Sequence, residues 1–221
     1  MEESLKQLRK PAIQFLNIFS LTFIFFSCLQ YNFDLTIKNT PTYLIVTTII
    51  AIIVNILGLL QFLERKMTQP VKKAKRYLIN NILSSYTTYV TFYNLYFFVA
   101  AEHHYYLDNY WYFGIMTLLF CSTAHILSIL LIMFTPNWSK GNKMVTIIIL
   151  KVLASLIYIQ KIIEYFIVPN VAESHFIFLL SILFIFACNF IVTQCYLLYV
   201  NVCTDVENDD NKNLKNIKGE K

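Results

Sequence analysis

Charge is scarce in this 221-residue chain: Asp, Glu, Lys and Arg make up 14% of it, against roughly 25% in a soluble domain. With 57% hydrophobic residues, the sequence cannot furnish an ordinary wetted surface. Glycine is rare, and no G-x-x-x-G occurs, so the close helix crossings that motif supports are excluded. The five prolines (Pro11, Pro41, Pro70, Pro136 and Pro169) stand at the ends of apolar runs. That placement argues against an ion-coupled transporter built on broken helices. The five cysteines (Cys28, Cys121, Cys188, Cys195 and Cys203) form no C-x-x-C pair, so neither a zinc site nor a disulfide framework is expected. Four histidines, with only one adjacent pair, are too few for a histidine-box oxygenase. No Ser-His-Asp set, G-x-S-x-G or P-loop pattern appears. No catalytic residue, metal or cofactor is therefore assigned, and nucleic acid is not an expected partner.

What the chain does have is long apolar runs. About 20 residues at 1.5 Å each cross the hydrocarbon core of a bilayer. Six runs of that length are read at about 12–30, 43–63, 77–101, 110–134, 144–168 and 176–200. The expected fold is all-α: a polytopic bundle of about six transmembrane helices over 12–200. Residues 1–11 are read as a cytoplasmic N-terminus leading into a retained signal-anchor helix. The stretch 201–221, rich in Asn, Asp, Glu and Lys, is read as a disordered, charged cytoplasmic tail.

The basic residues are distributed with a period of two connections. Apart from Lys38, Lys151 and Lys161, all 18 lie before the first run, between the second and third, between the fourth and fifth, or after the sixth. The other connections carry Asp34, Glu102, Asp108 and Glu173 with three of the histidines. Basic residues stay with the cytoplasmic leaflet, so both termini are expected there. The cluster 65–76 would also attract anionic lipid. A sequon, Asn137-Trp138-Ser139, falls on the cytoplasmic side by this count and is expected to stay unmodified.

Candidate functional residues are the polar ones in or beside the membrane. Glu102, His103, His104 and Asp108 crowd one short connection, where carboxylates and imidazoles suit a lipid headgroup or a proton. His125 lies inside the fourth run; a facing Asn94 or Gln194 is its expected partner. Lys151 is expected to snorkel toward headgroups. Lys161 and Glu164, three apart on one helix face, are expected to pair. Asn189 and Gln194 are expected to join an interhelical network. Tyr86, Tyr89, Tyr93 and Tyr96 are read either as packing or as the lining of a lipid cleft.

Several short elements resemble the six-span membrane family that includes the post-GPI-attachment lipid-remodelling factor, the DRAM autophagy modulators and the yeast Sfk proteins. They are Tyr31-Asn32-Phe33-Asp34, Pro41-Thr42-Tyr43-Leu44, Glu102 with His104, Ala124-His125-Ile126-Leu127, and Asn189. The chain departs from that family in a shorter first lumenal loop, in Ile45-Val46-Thr47-Thr48 replacing a Pro-Ser-Ile-Ser type segment, and in lacking the lumenal cysteine. The resemblance implies a non-enzymatic protein that assists lipid or GPI-anchor handling in endoplasmic reticulum, Golgi or endolysosomal membranes, with membrane lipids as partners and membrane proteins as a second class of partner. The alternatives from other classes are an accessory subunit of a larger membrane complex and, further off, an intramembrane lipid-modifying enzyme.

Overall fold

Backbone N–H and C=O groups have no water to bond in hydrocarbon, so long apolar segments close their hydrogen bonds internally as helices. The computed structural model describes residues 2–33, 35–64, 69–134 and 140–219, and among them the only regular structure is helical. The sequon at 137–139, Asp34 and the basic pair Arg65 and Lys66 lie outside the described residues. The helices are α1 (Glu2–Arg9), α2 (Pro11–Leu29), α3 (Thr42–Leu63), α4 (Pro70–Glu102), α5 (Asp108–Phe134), α6 (Lys140–Ile167) and α7 (Phe176–Gly219). Prolines at the first positions of α2 and α4 start those helices where an N–H would in any case lack a partner.

Five stretches are both long and apolar enough to cross a membrane: Glu2–Asn32, Thr42–Leu63, Asp108–Met133, Gly141–Ile167 and Phe176–Asn208. The sixth expected span is α4, whose 33 residues are long enough but whose Asn, Ser, Thr and Tyr content lowers its hydropathy. The reason is position. α4 is the central helix, packed by α2, α3 and α7, and its polar side chains are spent on those neighbours. Asn81, Ser85, Thr88, Thr91, Tyr93 and Asn94 are all buried. An apolar face is needed only where a helix meets lipid, and α4 has little such face.

α5 and α6 form a hairpin whose helices pack mainly on each other. Its link to α4 is made by long side chains rather than by close backbone approach. Tyr89, Tyr93 and Tyr96, none of them exposed to solvent, fill that gap.

Two segments carry helix that the sequence reading did not give. The first is the N-terminus, where α1 is a docked helix. Leu5 and Leu8 are buried against α4 and α7 in a cluster with Tyr77, Val192 and Val202. Asn81 Nδ2 donates to the Leu8 carbonyl at 2.8 Å, and Gln61 Nε2 donates to the same oxygen at 3.3 Å. Leu8 stands in the last turn of α1, so two buried amides replace helical donors missing at its C-terminus.

The second is the stretch after Val200, read from composition as disordered; α7 instead continues as helix to Gly219. Extending a helix already nucleated in the bundle costs far less than starting one, which composition does not register.

Candidate functional site

The connection between α4 and α5 does not converge on a site. His103 Nε2 lies 3.3 Å from Glu102 Oε2, and the His103 side chain is 44% exposed. His104 takes a left-handed backbone conformation, φ 62°, and is exposed. Asp108 faces a polar hollow of about 390 Å³ at the mouth of α3, shared with Lys38, Tyr43 and Tyr112. None of the four reaches the polar residues of α6 or α7. Among the described residues, no three of His, Cys, Asp and Glu gather at metal-binding distance.

The second group of expected residues forms a buried knot. Lys161 Nζ donates to Glu164 Oε2 at 2.7 Å, as the i,i+3 spacing predicts, and Lys161 is 0% exposed. The ammonium also stands 3.7 Å from the centroid of the Tyr93 ring, a cation–π contact. Tyr93 Oη donates to the other carboxylate oxygen at 2.8 Å, and Gln160 Nε2 donates there as well. The carboxylate thus receives three donors, one of them a cation, the condition under which a charge tolerates burial. Gly114 makes this possible. A Cβ there would stand 2.1 Å from Tyr93 Oη, so only glycine lets the tyrosine reach Glu164.

The third group lies toward the basic end of the bundle, between α5, α6 and α7. A cleft of about 250 Å³, open at the surface of the bundle, is lined by His125, Lys151, Tyr158, Phe186, Asn189 and Thr193. His125 Nε2 sits 3.2 Å from the Asn189 carbonyl oxygen and 3.3 Å from Thr193 Oγ1. A carbonyl only accepts, so Nε2 carries the proton and, in the neutral ring, Nδ1 is left as an acceptor. Thr193 gives its own proton to the Asn189 carbonyl at 2.9 Å. Tyr86 Oη donates to Asn189 Oδ1 at 3.1 Å, and Asn189 Nδ2 lies 3.5 Å from Tyr158 Oη. Asn189 is therefore the joint between α4, α6 and α7. Lys151 brings a positive charge to the rim of the cleft.

This corrects the partners expected for His125. Asn94 is engaged elsewhere: it donates to Thr47 Oγ1 at 2.8 Å and accepts from Trp111 Nε1 at 2.8 Å. Trp111 precedes His125 by 14 positions on α5, or about 21 Å along its axis, so the two groups lie at different depths. Gln194 is exposed, on the side of α7 that faces away from His125. Tyr158 and Thr193 were not among the expected site residues.

Residues 2–211 match the model of a domain of unknown function, DUF5079. The chain belongs to this family. All seven helices lie within the DUF5079 match apart from the last turns of α7, so the cleft and the knot are both parts of the family domain. Neither the curated proteins nor the solved structures offer a match to this DUF5079 chain.

Proposed function

We propose that this protein handles membrane lipid without chemical turnover, holding a lipid in the cleft between α5, α6 and α7. One observation carries the reading: polar groups from three helices converge in a cleft that opens sideways onto hydrocarbon. Polar groups in that setting are costly, and they persist where something uses them. The walls suit an acyl chain, since Phe186, Phe190 and Ala154 line the cleft around its polar floor.

Binding rather than catalysis fits the hydrogen bonds. The hydroxyl in contact with the His125 ring is that of Thr193, but its proton goes to the Asn189 carbonyl, and His125 Nε2 is itself a donor. No nucleophile is thus set against a base at that contact. The resemblance to the GPI-remodelling and autophagy-modulator family supports the same class of work. The finer form, a GPI-anchored cargo in secretory or endolysosomal membranes, rests on that resemblance alone.

The test is lipid retention. The full chain, purified in mild detergent, is expected to carry lipid visible by native mass spectrometry. Ser155 lies exposed in the cleft, so Ser155→Phe should fill it and strip that lipid while the protein stays monodisperse. Equal retention by wild type and Ser155→Phe would sink the reading. A stoichiometric membrane protein in place of lipid would turn it toward an accessory subunit.

A further inference from the structure

From the donors and acceptors in the cleft, and resting on the lipid reading above, we propose a class of ligand: a phospholipid whose headgroup joins a phosphodiester anion to a free hydroxyl, as a glycerol headgroup does. Three features of the cleft specify it.

The first is charge. Among the described residues, Lys151 is the one cation lining the cleft, and no carboxylate lines it. Its helix starts at the basic end of the bundle, and side chains on a helix lean toward its N-terminus. The ammonium is therefore held between the polar floor and the headgroup layer, where a lipid phosphate supplies the missing anion. A zwitterionic headgroup brings its own cation to the same place and gains less.

The second is the acceptor on the imidazole. With Nε2–H turned to the Asn189 carbonyl, the neutral ring offers Nδ1 as an acceptor. A bare phosphodiester has only acceptors and repels it. A headgroup hydroxyl donates to it.

The third is a spare donor. Tyr158 Oη accepts from Asn189 Nδ2, which leaves its own proton available for a phosphate oxygen. Lysine, tyrosine and neutral histidine together read anion, anion and hydroxyl. The aromatic walls formed by Phe186 and Phe190 assign this ligand to a lipid rather than to a soluble phosphate ester.

The test uses the full chain in nanodiscs of phosphatidylcholine doped with phosphatidylglycerol, phosphatidic acid or phosphatidylserine, read by native mass spectrometry of the protein released with its bound lipid. Phosphatidylglycerol should be retained at least about tenfold over phosphatidylcholine, the scale of one hydrogen bond to a charged group. Lys151→Met should erase that preference, and Lys151→Arg should keep it. His125→Leu should bind phosphatidylglycerol no better than phosphatidic acid. Because that change also releases α7 from α5, Lys151→Met, at an exposed position, provides the arm that leaves the fold intact. Free glycerol phosphate at millimolar concentration should not displace the lipid; displacement would overturn the lipid assignment. Retention of every headgroup alike, or no effect of Lys151→Met, would overturn the headgroup proposal while leaving lipid binding in place. Failure of wild type to retain any lipid would remove the underlying reading instead.

Discussion

Lys161 and Glu164 form the most demanding contact in the molecule, because both charges are withdrawn from water and depend on each other. Removing one partner strands the other, so Lys161→Met or Glu164→Leu alone should each destabilise the bundle by about 3–5 kcal/mol. The double substitution Lys161→Met with Glu164→Leu should cost clearly less than the sum, since an apolar pair leaves no uncompensated charge. Detergent-titrated unfolding of the four proteins, read as a double-mutant cycle, measures this; simple additivity would mean the pair is not coupled.

Gly114 is tied to the same knot. Gly114→Ala should destabilise by about 1–3 kcal/mol, because Tyr93 is enclosed and has no room to retreat from the new methyl group. Combining it with Tyr93→Phe, which removes the clashing hydroxyl, should recover part of the loss.

At the scale of elements, the corner joining α3 to α4 is clamped by charge. Glu64 accepts from Lys73 at 2.7 Å and from Tyr77 Oη at 2.8 Å, with Arg76 on the same carboxylate. Burial pushes its pKa upward, but the bonds from Lys73 and Tyr77 and the charges of Arg76 and Lys73 outweigh that and hold it below the usual glutamate value. A depressed pKa gives stability that is complete above the unfolded value of about 4.3 and is lost as pH falls through the lower folded value. Acid titration should therefore loosen this corner below about pH 4. Glu64→Gln should abolish that acid step and lower stability at neutral pH.

The docking of α1 gives another prediction at this scale. Asn81→Ala leaves the Leu8 carbonyl one donor short, so trypsin cleavage after Arg9 should accelerate about tenfold. An unchanged rate would mean that Leu5 and Leu8 hold α1 by themselves.

These elements also show what the sequence can and cannot convey. The spans were legible because an apolar run of membrane length has few other uses. The Lys161–Glu164 pair was legible because both residues share one helix face. The partner of His125 was not, since Asn94 and Asn189 look equivalent until depth and helix rotation are known. Nor was α1, whose eight residues make too short and too polar a segment to declare itself.

For the whole molecule, the alternation of basic connections leads us to propose that both termini and the two basic connections share the cytoplasmic side. Tags at either end should be digested in inside-out vesicles and shielded in right-side-out ones. Opposite behaviour of the two tags would mean that α4, the most polar of the six long helices, does not cross.

α7 deserves to be considered at this scale too. Its 44 residues run about 66 Å without a break, roughly twice the hydrocarbon thickness of a bilayer. It passes Asn189 and Thr193 and continues as one helix beyond Asn208, where its apolar stretch ends. The carbonyl that His125 Nε2 bonds is therefore carried on the same unbroken helix against which α1 docks beyond the cleft, at Val202.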